Sequence, residues 1–538
     1  MGTKKLKKWL INKNNLLFLG ILISAIVVRL YYFFITKNQP LWWDEADYLA
    51  YAKNLAGFET SWIITAKHNS IYPFLAAVIF KLFSSEIIVK FLLQLLPSIL
   101  SIILIYMISN EMYEDKRIGV ISAFIAACSW TILFNTTRFH IGILGLFTGF
   151  LSIYVFWRGY ENKKRFFRIN QKWAIPISVF LAILTYSIRR GYFLFGAFFI
   201  FYLLLTKKWK KLIKEKNNWV GLLIAGILFF LTEKFIFNSN ITGVSGAYYH
   251  EELPINFLPF EIFSSYFSNF ANPSLSFLFY LFWIGMAILL INVLLSIGYI
   301  KENSSKETKA DIFNLLSIII TLAFFIIVLR SPNSFGEPRW YFPLFFPSSI
   351  AISKGALAIS DYLKKYHKIL GSAILFLLIL SGGYYQLKYA DSIILSKKDS
   401  FIGIKEASLL IKELSREGEK ILTLGQPQVE YYSERKTVNP RHWPDNPTLE
   451  ATLKKIKEDE NVKYLLISFS EPGYPEWMAK RYQEGEKSFW EIPFMDTKID
   501  FSSNNQQILR EKNFENLNFK LIGTKQEVFI YSINRITE

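Results

Sequence analysis

The chain alternates between long apolar runs and short basic blocks. About 20 consecutive apolar residues carry a helix across a bilayer. Windowed hydropathy predicts eleven spans, at roughly 16–36, 86–112, 118–136, 141–157, 173–188, 191–206, 219–236, 275–299, 311–329, 341–359 and 369–386. The blocks "KKLKK", "EDKR", "RGYENKKRFFR", "KKWKKLIKEK", "KENSSKETK" and "KKYHK" fall on alternating sides of these spans. The positive-inside rule makes that side cytoplasmic. The opposite side carries the long loops 37–85 and 232–274, poor in Lys and Arg for their length. An odd span count then puts the N-terminus inside and the C-terminal part outside.

Two stretches of the first outer loop read as helices that do not span. "IYPFLAAVIFKLF" (71–83) is too short and reads as a helix at the membrane surface. "EADYLAYAKNLAGF" (45–58) is amphipathic, with Tyr48, Leu49, Ala52, Leu55 and Ala56 on one face and Gly57 as its stop. From about 388 the pattern changes. "SFIGIKEASLLIKELSREGE" and "LEATLKKIKEDE" predict helices, "KILTLG" and "VKYLLISF" strands, and "FKLIG" with "EVFIYSI" a terminal hairpin. The expected fold is a polytopic α-helical membrane protein of eleven transmembrane helices (1–387) with a small external α/β domain (388–538).

Composition supports this. The chain is 52% hydrophobic and 17% aromatic, with only 19% charged residues and 50 Phe, more apolar than ordinary soluble domains. The net charge of +18 reports topology rather than nucleic-acid binding, because the cations lie in the loops. The single Cys128 sits in an apolar run, so neither a disulfide framework nor a cysteine zinc site forms within one chain. No GxGxxG, Walker or HExxH motif is present, and the sequons at Asn135, Asn240 and Asn303 are of a kind common by chance.

Three acids follow the first span in "WWDEADY", Trp42 to Tyr48. One reading is a helix start: Asp44 as N-cap, Asp47 at the third helical position, and the tryptophans in an interfacial belt. The other is a general base at the membrane edge, its neighbouring acid raising its pKa. The two are compatible, since a capped helix is a rigid mount. Five cations lie on the same side: Arg138, Arg189, Arg190, Arg330 and Arg339. Each could snorkel to lipid phosphates; together they suit an anion site, for which the planar guanidinium fork is apt. Arg29, inside the first span, could reach outward or form an ion pair. His68 is a surface residue, or a metal or substrate ligand. His140 and His250 are also outer-side, too scattered for a strong metal signal.

The combination of "DEADY" after the first span, an amphipathic helix ending "YAKNLA", then "IYPFLAAVIFKLF", "EIIVKFLLQLLPSIL" and finally "PRWYFPLFFP" resembles the GT-C fold glycosyltransferases. The likeness is to the branch of protein mannosyltransferases and lipid A aminoarabinose transferases. It covers residues 10–385 as architecture, and "YYSERKT" in the tail is similar to external domains of prokaryotic members. Arg339-Trp340 stands where the family commonly has Arg-Tyr. The resemblance implies transfer of a sugar from a polyprenyl-phosphate carrier to a glycan, lipid or protein acceptor on the outer face of a prokaryotic plasma membrane. A lipid-phosphate donor needs no nucleotide-binding domain. The resemblance further implies Asp44 as base with Glu45 as partner, and Arg138, Arg189, Arg190, Arg339 and Tyr341 around the donor phosphate. A divalent metal near His68 is the only cofactor implied.

Three rivals stand beside this. An oligosaccharyltransferase shares the fold, but its Trp-Trp-Asp-Tyr-Gly signature is absent. A lipid-linked sugar flippase would line a path with mid-span charges, whereas here outward charges gather at span ends. A non-catalytic surface-polysaccharide assembly subunit would tolerate loss of Asp44 and Glu45. The sugar and the acceptor are not written in the sequence.

Overall fold

A computed structural model describes residues 11–60, 62–63, 70–166, 169–207, 209–237, 278–296, 305–325, 338–443, 448–471, 473–484, 487–499 and 509–536. In chain order the main helices are α1 (Lys13–Thr36), α2 (Trp43–Ala56), α3 (Tyr72–Phe83), α4 (Glu86–Met112), α5 (Lys116–Cys128), α6 (Trp130–Thr136), α7 (Ile141–Glu161), α8 (Gln171–Ile188), α9 (Arg190–Thr206), α10 (Lys216–Ile236), α11 (Leu278–Ser296), α12 (Lys306–Phe324), α13 (Arg339–Lys364) and α14 (Lys368–Lys397). All eleven predicted spans are helical where described. Eight helices are long and apolar enough to cross a membrane on their own, and α5 with α6 makes a ninth if that bent pair is one span. Helix α9 is a shorter apolar helix, and α12 falls outside these sets. Helix α3 is a 12-residue helix, as expected for a segment that does not span.

The chain divides into two compact units. The first comprises Met1–Lys37, Asn69–Tyr72 and Glu86–Leu395; the second comprises Asn38–His68, Pro73–Ser85 and Ser396–Glu538. The division between these units in the C-terminal part lies between Leu395 and Ser396. More importantly, helix α2 groups with the C-terminal domain and not with the spans.

In the first unit, α5 and α6 meet at a 51° bend. The bend leaves the last carbonyls of α5 without helical partners. Arg29 fills that gap: it donates to the carbonyls of Ala126 (3.1 Å) and Ala127 (3.0 Å) and to Ser98 Oγ (2.8 Å). Among the described residues it forms no ion pair; its cost in the apolar interior is offset by carbonyls that would otherwise be unsatisfied. Where α4 meets α5, and on the helices beside that end, acids and bases are matched. Asp311 accepts from Lys354 Nζ (2.5 and 2.7 Å), Tyr113 Oη (2.7 Å) and Asn292 Nδ2 (2.8 Å). Glu111 accepts from Arg158 (2.5 Å), Asn162 (2.7 Å) and Lys164 (2.9 Å).

In the second unit, α15 (Ile402–Leu414), α16 (Gln426–Ser433) and α17 (Leu449–Glu458) join strands β1 (Lys420–Leu422), β2 (Lys436–Val438), β3 (Val462–Ser468), β4 (Lys480–Glu484), β5 (Lys487–Ile492), β6 (Thr497–Ile499), β7 (Glu511–Phe514), β8 (Leu517–Lys525) and β9 (Val528–Arg535). Six strands form one sheet, ordered β2-β1-β3-β9-β8-β7, and β4-β5-β6 form a second. The β1–β3 pair is parallel and β8–β9 is the predicted antiparallel hairpin. Ile404, Ala407 and Ile411 of α15 pack on one face of the large sheet with Ile421, Leu466 and Ile530. Ile456 of α17 packs with Leu465, Ile467, Phe529 and Phe494 on the other.

Candidate active site

Helix α2 starts two residues earlier than Asp44 as N-cap would require. Its N-cap is Trp42, in extended conformation, and Glu45 is the third helical residue. The Glu45 carboxylate accepts from the Trp42 backbone N–H at 2.9 Å, satisfying a donor that the helix cannot. Asp44 occupies the second position and is exposed, whereas Glu45 and Asp47 are buried. The exposed acid stands where the positive end of the helix dipole stabilises a negative charge. The buried face runs through Glu45, Ala46, Leu49, Ala50 and Ala52. Leu55, predicted for that face, is 39% exposed. Gly57 ends the helix at φ +87°, a conformation that only glycine takes without strain, and its N–H reaches Asn54 O.

In the first unit, three chain reversals bring cations together. Arg138 follows α6, Arg189 ends α8, and Arg339 opens α13. They surround His140, which caps α7 by accepting from the Gly142 N–H at Nδ1 (3.0 Å). Its Nε2 lies 2.6 Å from Arg339 Nη1. Burial, and then the charges of Arg339, Arg189 and Arg138, hold His140 well below the ordinary imidazole pKa, so the ring is neutral. Arg189 lies over the Trp340 ring at 4.3 Å, and among the described residues its buried Nη1 has no hydrogen-bond partner. Tyr192 binds the cluster together: its hydroxyl lies 3.3 Å from the Arg339 carbonyl. Gly145 makes room for that ring, since a β-carbon there would collide with it.

Not every predicted residue joins this cluster. Arg190 turns to Glu233 (3.4 Å) and to the Phe237 ring (4.3 Å). Glu233 also accepts from the Tyr186 hydroxyl. Tyr341 is buried, with its ring 4.6 Å from that of Phe325. His68, Arg330, His250 and its acidic neighbours lie outside the described residues. Among the described residues, no three His, Cys, Asp or Glu side chains gather to hold a metal ion.

Sequence reasoning missed one acid. Glu471, in the turn after β3, is 3% exposed and accepts from Trp43 Nε1 at 2.7 Å. Burial raises its pKa to about 7, against the opposing pull of the Trp43 N–H and the Arg441 charge. The available signal was the turn sequence "SEPG" directly after an apolar strand, an acid where the backbone must leave the sheet.

Comparison with known proteins agrees with this architecture. The family of dolichyl-phosphate-mannose-protein mannosyltransferases matches residues 67–232, a stretch that holds Arg138, His140, Arg189 and Arg190 but begins after the acid motif. Among curated protein sequences there is no significant match. The archaeal oligosaccharyltransferase AglB from Archaeoglobus fulgidus, solved with an inhibitory peptide and a dolichol-phosphate, aligns with TM-score 0.56 at 13% identity, over 84% of this chain and 69% of its own. ArnT from Cupriavidus metallidurans bound to undecaprenyl phosphate aligns with TM-score 0.58 at 9% identity, over 95% of this chain and 98% of its own; its apo state gives 0.60 at 10%. The chain is thus a multi-pass membrane protein with the GT-C fold, similar to mannosyltransferases and to ArnT.

Proposed function

We propose that this chain is a GT-C type glycosyltransferase that moves a sugar from a polyprenyl-phosphate carrier to an acceptor hydroxyl, with inversion, at the outer face of a prokaryotic plasma membrane. The observation that carries the reading is the gathering of Arg138, Arg189 and Arg339 around a neutral histidine. Planar guanidinium forks suit a phosphate, which accepts from them in pairs, and the buried Arg189 Nη1 has no hydrogen-bond partner among the described residues. His140 adds to this. Two donors face it, the Gly142 N–H and the Arg339 guanidinium, but a neutral imidazole accepts at one nitrogen only. A phosphate oxygen beside the ring supplies the second acceptor.

In this scheme Asp44 removes the acceptor hydroxyl proton. The oxygen attacks the anomeric carbon from the side opposite the phosphate, and the bond from carbon to phosphate oxygen breaks. The leaving polyprenyl phosphate takes the electron pair, and the arginines stabilise its growing charge. Glu45 fixes the first turn of α2 that presents Asp44. Tyr341 and Arg190 support the segments that carry Arg339 and Arg189. The scheme uses only the chain's own residues; a divalent metal, if one binds, is proposed at His68. The family match and the two relatives solved with polyprenyl phosphates support the donor class; the acceptor is a glycan, lipid or protein.

The test is release of polyprenyl phosphate coupled to formation of a glycoside of the opposite anomer, using purified protein in vesicles with a polyprenyl-phosphate hexose. Movement of the lipid across the bilayer without release would instead identify a flippase. Neither release nor movement would leave the assembly-subunit reading.

A further inference from the structure

Helix α2 is fastened to the C-terminal part of its own unit along its length. Leu41, just before the helix, donates its N–H to Tyr432 Oη (2.8 Å) and accepts from Gln428 Nε2 (3.1 Å). Lys53, near its end, lies over the Tyr431 ring at 4.2 Å. Trp43, its first residue, donates to Glu471 (2.7 Å). The first two fix the lead-in and the far end. The third acts on the turn that holds Asp44, beside the N-cap Trp42, whose ring meets that of Phe401 edge-on at 6.3 Å.

We propose that Glu471 is a positioning residue for the acid motif, setting the orientation of the first turn of α2 through its hydrogen bond to Trp43. The proposal rests on the reading of Asp44 as base. Glu471 is itself well anchored: its N–H donates to Ser468 O at 3.1 Å, at the end of β3. The groups facing it are few. From the turn after β2 comes Arg441, whose Nε is tied to Gly473 O (2.6 Å). From its own segment comes the buried Tyr474 hydroxyl, which accepts from the Ser468 N–H (2.9 Å). From the turn between β1 and α16, Gly425 offers bare backbone near its Oε1. From α2 comes the uncharged indole of Trp43.

The geometry makes the contact sensitive to pH. Glu471 changes charge at about 7, and a hydrogen bond to a carboxylate is roughly twice as strong as one to a neutral acid. The first turn of α2 is therefore held more firmly as pH rises through about 7. Stability runs the other way. The folded pKa lies above the ordinary glutamate value, so the folded state keeps a proton that the unfolded chain loses. This group's contribution is fully present below the unfolded pKa of about 4.3 and is lost as pH rises through about 7. Transfer that increases while stability decreases over one pH interval is a signature that a merely structural acid would not give.

The experiment uses full-length protein labelled with fluorotryptophan. The Trp43 fluorine resonance is assigned among the fourteen tryptophans by its loss in Trp43→Phe. We expect it to titrate with a midpoint near 7 in the wild type and to stay flat in Glu471→Gln. In transfer assays, Glu471→Gln and Trp43→Phe each lower kcat on the order of ten-fold with the donor KM unchanged, and both abolish the rising limb of the pH profile near 7. A Trp43 resonance that does not titrate, or a limb that survives in Glu471→Gln, overturns the proposal. A titrating resonance in a protein whose Asp44→Asn variant transfers at the wild-type rate overturns the base assignment alone.

Discussion

The two ends of the helical bundle handle charge in opposite ways. Where α4 meets α5, and on the helices beside that end, two buried acids are matched: Asp311 by Lys354, and Glu111 by Arg158 and Lys164. At the other ends of these helices, three guanidiniums gather about one neutral imidazole. Both arrangements bury charge and both cost desolvation. The first returns that cost within the folded chain, through ion pairs completed by Tyr113, Asn292 and Asn162. The second gathers three guanidiniums about one imidazole, an arrangement suited to an anion. The comparison separates a mount from a site, and substitution should separate them too.

The largest effect is expected at the mount. Lys354→Met leaves Asp311 as a buried acid without its cation and should cost about 3–5 kcal/mol of stability. A thermal melt in detergent should fall by many degrees, while the molecules still folded retain their donor affinity. At the site the pattern should invert. Arg339→Ala and Arg189→Ala should each lower kcat/KM for a polyprenyl-phosphate sugar by about a hundred-fold while moving the melt little. Arg190 sharpens the comparison. It belongs by sequence to the arginine pair but by structure to Glu233, so Arg190→Gln should change transfer only a few-fold and cost less than about 1 kcal/mol. An Arg190 variant as damaging to transfer as Arg189→Ala would break the division between mount and site.

Much of this was legible in the sequence, for identifiable reasons. Spans announce themselves because an apolar run of bilayer length has no other stable environment, so all eleven predicted runs are helical where described. The β8–β9 hairpin was readable from its alternation. The short strands β2 and β4–β6 were not, because three to six residues carry too little pattern. The bend at Ser129 was hidden in a continuous apolar run; its only trace was Arg29, a cation in another span. Long-range partners were the main loss. Nothing local tells Arg190 from Arg189, and nothing near Trp43 names Glu471 some 428 positions away. For the same reason α2 read as an outer loop of the bundle, although it packs in one unit with the C-terminal domain. The start of α2 was misread by two residues because Asp44 is the better capping residue by type; Trp42 takes the cap because Glu45 reaches back to its N–H.

The account stands most directly on Asp44. Transfer of a labelled hexose from polyprenyl phosphate should be compared between the wild type and Asp44→Asn, at matched folding and matched donor binding. The account predicts a kcat lower by about a hundred-fold or more with the donor KM unchanged. An Asp44→Asn enzyme that transfers at the wild-type rate would contradict it.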